Sequence, residues 1–282
     1  MLNHAYIPKA QKIKDNISSH LNIPVEQINF VCNKDDALIT LILYYLRKNS
    51  SKRFVFPQPL IKSITHLKQL FPTLNFVALP TDNIISSALE TLQKNDIFLI
   101  TNPLLPFACL SPVKRLLKIS NKKNSLPIFD ISLSFYWLGY NLKKTKIYPT
   151  IFCLNPWFDN TYPFAIINNS PINSSLIGEI GAWHFDLKLD FKDKNKFIKE
   201  LTELTNLLDK ILTQLNIYPL CEKQILSIRT YLLPPKIDTN KISVLLQYSN
   251  INFKIIDNKL NIYFQTLDKD KLKQLNTLVE AN

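Results

Sequence analysis

Apolar residues in this chain gather into short runs separated by stretches of helical spacing, and the two alternate through the first two thirds of the sequence. Residues 10–21 keep the helical period until Asn22-Ile23-Pro24 breaks it. Val31 leads into Asp35 and Asp36, which predict a capped and strongly apolar helix over 37–47. A strand over 53–56 follows, closed by Pro57-Gln58-Pro59, then a helix over 60–71, a strand over 75–79 and a helix over 84–93. Residues 96–101, 112–120 and 126–129 read strand, helix, strand, and 148–154 and 164–167 read as further short strands. Such alternation predicts a mostly parallel sheet with helices on both faces.

The pattern changes near Asp186. A charged stretch over 188–199 merges into a long amphipathic helix over 197–215, then a strand over 224–233 and a helix over 240–248. A hairpin (253–256 with 259–264) and a terminal helix over 269–280 complete the chain. The expectation is therefore an α/β large domain over 1–185 and a small C-terminal α+β domain over 186–282, without internal repeats.

The unit over 96–130 also says where chemistry would sit. Asn102 and Asp130 fall at the carboxyl ends of two adjacent parallel strands, the edge at which open α/β sheets bind ligands.

Composition narrows the chemistry. Glycine occurs three times in 282 residues, and the first is Gly139. A loop that cradles phosphate needs glycine so that backbone N–H groups can approach the anion, and the first 138 residues have none. Lysine supplies all but four of the 34 basic residues, the exceptions being Arg47, Arg53, Arg115 and Arg229. Net charge is +12, yet the lysines are scattered singly, with short clusters only at Lys122-Lys123 and Lys143-Lys144. No segment interleaves aromatics with arginine. This reads as a solvated lysine coat rather than a nucleic-acid groove.

Cys32, Cys109, Cys153 and Cys221 are far apart and form no C-x-x-C pair. With no leader-like start and no apolar run near the ~20 residues that span a bilayer, a cytoplasmic protein with reduced thiols and no membrane contact is expected. A cysteine nucleophile at Cys32, Cys109 or Cys153 would need a cationic partner or a helix N-terminus to lower its pKa; buried thiols are expected instead. His184, Asp186, Asp190 and Asp193 give no paired histidines at metal-ligand spacing, so no metal site is expected. Trp137, Trp157 and Trp183 are expected where the two domains meet.

A series of partial motifs runs along the chain in order. Ile28-Asn-Phe-Val-Cys-Asn-Lys-Asp-Asp-Ala-Leu38 is similar to an I-x-x-G-N-G-S-D-E-A turn and helix, and Phe56-Pro-Gln-Pro59 to the segment after it. The residues from Asn102 to Ala108 are similar to N-P-x-N-P-T-G, and Phe129-Asp130-Ile-Ser-Leu133 to D-E-A-Y. Lys259-Leu-Asn-Ile-Tyr-Phe264 is similar to a late strand that normally carries arginine. In this order they resemble the class I/II aminotransferases, fold-type I enzymes dependent on pyridoxal phosphate (PLP), in the branch of histidinol-phosphate aminotransferase and threonine-phosphate decarboxylase. The resemblance runs from Tyr6 to the C-terminus. It implies an aspartate-aminotransferase-like fold, a homodimer, and vestigial coenzyme contacts at Asp130 (pyridine nitrogen), Asn102 and Tyr6 (partner subunit's phosphate).

The chemistry of the coenzyme needs a lysine for the imine, a carboxylate on the ring nitrogen and cationic or N–H groups for the phosphate. The lysine belongs about thirty residues beyond Asp130, but none occurs between Lys146 and Lys188, nor any arginine between Arg115 and Arg229. Lys34-Asp35 stands in the Gly-Ser turn, where Asp35 repels phosphate and Lys34 offers a compensating point charge. Leu105 replaces the ring-contacting asparagine, Leu133 the tyrosine and Asn261 the carboxylate-binding arginine. The residues thus imply a homologue without catalytic residues, which binds no PLP and takes an unknown partner or small ligand near Asn102 and Asp130. Two alternatives stand beside it. One is a working transaminase or decarboxylase of amino-acid metabolism with a relocated lysine, Lys34 or Lys146. The other is a basic module for nucleic acid or an acidic partner.

Overall fold

The computed structural model describes residues 7–48, 52–58, 61–104, 110–132, 134, 149–153, 164–168, 194–221, 228–256, 258–264 and 267–281. The chain divides into two compact units, Met1–Leu105 with Ser111–Phe191, and Pro106–Leu110 with Lys192–Asn282.

The first unit is built on seven strands: β1 (Ile28–Val31), β2 (Arg53–Pro57), β3 (Asn75–Leu79), β4 (Ile97–Thr101), β5 (Leu126–Asp130), β6 (Thr150–Cys153) and β7 (Phe164–Ile167). They lie in the order β1-β7-β6-β5-β4-β2-β3. The run from β3 to β6 is parallel, as the alternation predicted. Two features depart from the sequence reading. β7 runs antiparallel to both neighbours, and Ile28–Val31, read only as a lead-in to a helix, is an edge strand paired with it. Short apolar runs carry no sign of strand direction, so neither departure was visible beforehand.

Helices cover both faces of this sheet. α1 (Ile7–Leu21), α4 (Ile84–Thr91) and α5 (Val113–Lys123) pack with Phe30, Val55, Phe98, Ile100, Phe129 and Phe152 on one face. α2 (Lys34–Lys48) and α3 (Ile61–Leu70) pack with Phe54, Ile97, Leu99, Ile128 and Ile151 on the other. Successive residues of β4 alternate between the two clusters, so a strand that reads as unbroken apolar sequence is buried on both sides.

α2 shows why the local sequence folds as it does. Ala37, Leu38, Leu41, Ile42 and Tyr45 recur at helical spacing and are buried. The cap is Asn33, whose Oδ1 accepts from the Asp36 backbone N–H at 2.9 Å, rather than Asp35 or Asp36. Both aspartates instead sit in the first turn, where they complement the positive helix end. α5 also outruns its predicted end and takes in Lys122 and Lys123.

The second unit holds α6 (Lys194–Thr213), α7 (Thr239–Tyr248) and α8 (Lys269–Glu280) with an antiparallel sheet of β8 (Tyr218–Pro219), β9 (Ile228–Leu232), β10 (Phe253–Ile256) and β11 (Lys259–Tyr263) in the order β10-β11-β9-β8. A polar cluster locks α6 to this sheet. Asp209 on α6 accepts from Arg229 Nη2 at 2.5 Å and from the Tyr231 hydroxyl at 2.6 Å, while Arg229 Nη1 donates to the Cys221 carbonyl at 2.9 Å. Burial, with Asp209 beside it, pushes the Tyr231 phenol well above its ordinary pKa.

The thiol expectation needs correction. Cys32 and Cys153 are in no disulfide, but Cys221 is disulfide-bonded. Sequence separation hides such a bond, because its formation depends on Cα proximity in the fold.

Glycine scarcity has a structural answer in asparagine. Every non-glycine residue with positive φ among those described is asparagine: Asn22, Asn95, Asn124, Asn216, Asn250 and Asn258. Four of them close helices in one way. Behind α1, α5, α6 and α7, the next residue donates to a carbonyl five positions back (Ile23 to Ser18, Ser125 to Ser120, Ile217 to Leu212, Ile251 to Leu246). Asparagine tolerates the left-handed region better than other residues with a Cβ. Asn124 is exposed, so its replacement tests the backbone alone. Asn124→Ala is expected to cost about 1 kcal/mol and lower the thermal midpoint by a few degrees, whereas Asn124→Gly leaves it unchanged or higher. Calorimetry of both variants checks this.

Candidate functional site

At the carboxyl edge of the first unit's sheet, β4 and β5 end in register, with Thr101 beside Asp130. The Asn102 backbone N–H donates to the Asp130 carbonyl at 2.8 Å, which holds the two strand ends together. Asn102 is buried and turned inward. Its Oδ1 accepts from the Ser111 backbone N–H at 2.9 Å, and its carbonyl accepts from the Ser134 hydroxyl at 2.6 Å. Asn102 thus ties the β4 end to the segment entering α5 and to the turn after β5.

Asp130 is engaged on both oxygens. Oδ1 accepts from the Ser132 backbone N–H at 3.0 Å and from the Ser132 hydroxyl at 2.6 Å, a turn in which a strand-end aspartate caps its own chain. Oδ2 receives the Lys34 ammonium at 2.5 Å. Both side chains are buried, Lys34 to 9% and Asp130 to 4% exposure, so this is an interior ion pair.

The path of α2 explains why Lys34 arrives there. At the far end of that helix the Tyr45 hydroxyl donates to the Pro127 carbonyl at 2.9 Å. Lys34 meets the last residue of β5 and Tyr45 meets its second, so α2 lies along β5 in the opposite direction. Lys34 is the first residue of the helix, and its position makes Asp130 its target. The sequence places Lys34 as a point charge for a phosphate; in the fold it is paired with Asp130. Nothing in a linear pattern relates residues 96 positions apart, whereas a strand-end aspartate at 130 capping its own turn is legible in the sequence, and Asp130 does so with Ser132.

Among the described residues, this arrangement does not fit PLP. The carboxylate that would hold the pyridine nitrogen already holds an ammonium. The helix end that would meet a phosphate carries Asp35 and Asp36, and His66 Nδ1 lies 3.5 Å from Asp35. Arg53 is engaged by Asp96 and the Thr91 carbonyl, and Arg229 by Asp209 in the second unit. Asn261, at the place of the carboxylate-binding arginine, is buried and accepts from the Thr230 hydroxyl at 2.6 Å.

Cysteine chemistry finds no support at this edge either. Burial, a hydrogen bond with Asp36 and the charge of that residue all raise the Cys32 pKa, the opposite of activation. Cys153 is fully buried at the end of β6. No group of three metal-ligating side chains forms among the described residues. Tyr6, Cys109, Trp137, Lys146, Trp157, Trp183, His184, Asp186, Asp190 and Asp193 lie outside them.

The strand order and flanking helices define the aspartate-aminotransferase-like α/β fold, which several solved structures share. A NifS-like protein superposes with a TM-score of 0.79 at 11% identity, over 98% of this chain and 88% of that one. A cysteine desulfurase from Thermococcus onnurineus gives 0.71 at 12% identity, over 100% and 85%. A mutant of the lyase C-DES with glycine covalently linked to its PLP cofactor gives 0.72 at 10%, over 99% and 87%. No protein-family model and no curated protein matches the sequence.

The ion pair makes a measurable claim. Removing one member of a buried pair strands the other charge, at a cost of ~3–5 kcal/mol. Lys34→Met is expected to lose stability on that scale, and Lys34→Met combined with Asp130→Leu to recover most of it. Urea denaturation of the wild type, the single variant and the double variant supplies the comparison.

Proposed function

We propose that this chain is an aminotransferase-like protein that carries out no PLP chemistry, and that it keeps the fold as a scaffold, assembled as a homodimer in the cytoplasm. The observation that carries the reading is the Lys34–Asp130 pair, in which a lysine ammonium stands where the coenzyme's ring nitrogen would meet its carboxylate. The protein supplies its own cation to Asp130, so the fold does not depend on a bound one. Sequence agrees, since no lysine lies between Lys146 and Lys188. The homodimer rests on the resemblance alone. The cytoplasmic assignment rests on the sequence reading alone, and the disulfide at Cys221 counts against it.

The position of Lys34 also bears on the competing reading, an active enzyme with a relocated lysine. The aldehyde and the ring nitrogen lie at opposite ends of the pyridine ring. An amine held against Asp130 occupies the nitrogen's end of the ring, away from the aldehyde. Lys34 would have to leave Asp130 before it met an aldehyde.

One spectroscopic experiment separates the two readings. Purified protein mixed with excess PLP and then desalted is expected to be colourless, with no visible band that borohydride bleaches. A retained yellow band that Lys34→Ala abolishes would establish the relocated lysine and sink the proposal. Light scattering on the same sample is expected to give twice the chain mass.

A further inference from the structure

We infer that the exposed face of α5 is a docking surface for the phosphate backbone of a nucleic acid duplex. α5 forms the crossover from β4 to β5 and buries Leu116 and Ile119 against the sheet. Its solvent side is Lys114, Arg115, Lys118, Asn121 and Lys122, all exposed. The helix carries five basic residues and no acid. Lys114, Lys118 and Lys122 follow one another at intervals of four, one above the next on one face, in a row about 12 Å long. In the sequence these lysines look scattered, and the extension of the helix to Lys123 is what aligns them.

This arrangement costs the isolated fold stability. Like charges four residues apart on a helix repel, and Lys114 and Arg115 sit in the first turn, against the positive end of the helix. No side-chain hydrogen bond or ion pair engages any of these cations among the described residues. The row continues past the helix. Asn95 N–H donates to the Asn124 carbonyl at 3.0 Å, which sets the exposed Lys94 beside the C-terminal end of α5. Asp96, next along the chain, is already held by Arg53. α4, packed beside α5, adds a single acid, Glu90.

The chemistry of the face selects its partner. The helix itself exposes no aromatic or large aliphatic anchor of the kind that dominates protein–protein hot spots or enters a bilayer interface; Leu89 on α4 and Leu110 ahead of α5 are exposed singly. It has no ring on which an unpaired base could stack. What it offers is a straight line of point charges. A duplex carries one negative charge per ~1.7 Å of its axis, so such a line meets several phosphates in any register and reads no bases.

The test compares two sets of charge reversals with the same net charge. One carries Lys114→Glu, Lys118→Glu and Lys122→Glu on α5. The other carries Lys236→Glu, Lys241→Glu and Lys254→Glu, three exposed lysines of the second unit. Binding of a labelled mixed-sequence DNA duplex is followed by fluorescence anisotropy between about 50 and 200 mM salt. The α5 set is expected to weaken binding at least tenfold and to reduce the salt slope by about 3, while the other set stays within about threefold of wild type. A Lys→Gln set at the three α5 positions gives a loss in the same direction should the reversals unfold the helix. Equal losses from both reversal sets would mean that overall charge binds the duplex, and would overturn the assignment. So would anisotropy unchanged by the α5 variants, or wild-type binding to phosphatidylserine vesicles or an acidic peptide without binding to the duplex.

Discussion

A buried ammonium facing a buried carboxylate constrains the carboxyl edge of the large sheet. Neither Lys34 nor Asp130 tolerates isolation in the interior, since an unpaired charge there costs several kcal/mol. The first turn of α2 and the last residue of β5 must therefore stay in contact. Around that contact the other polar groups fall into place. Ser132 closes the second oxygen of Asp130, Asn102 joins the neighbouring strand, and Ser134 and Ser111 secure Asn102. The edge that is a ligand cleft in enzymes of this architecture is organised here by side chains bonded to one another. That inward organisation is the physical basis for reading the chain as a scaffold.

The second unit solves a similar problem by similar means. Asp209 on α6 is shared between Arg229 and Tyr231 on β9, and Arg229 also reaches the Cys221 carbonyl. The cation is consumed in joining a helix to a sheet. In both units a charged residue that might have served a ligand is committed to internal structure, by a carboxylate on another element.

Much of the fold was legible because burial writes itself into apolar spacing. Asn75–Leu79, Phe164–Ile167 and Lys269–Glu280 agree with their predicted spans to the residue. What escaped notice depends on partners far away in sequence. β1 is four residues long and defined by its pairing with β7, more than 130 positions later. The start of α2 was misplaced because Asn33 caps with a side chain, which periodicity does not register. At the site, Asp130 and Asn102 could be placed on an edge from the strand pattern, and the resemblance supplied what that edge might once have held. The hand that Lys34 extends to Asp130 could not be read at all, being a matter of helix trajectory. The disulfide at Cys221 was hidden for the same reason.

The asparagines that end four helices also give the fold a chemical lifetime. Their side-chain amides hydrolyse slowly with age and heat, fastest where the following residue is small, as Ser125 is after Asn124. Conversion to isoaspartate would insert a methylene into the main chain at the point where the helix reverses. A glycine at the same post has no amide to lose. Ageing at that post would undo the turn that ends α5 and leave the contacts of the core as they are.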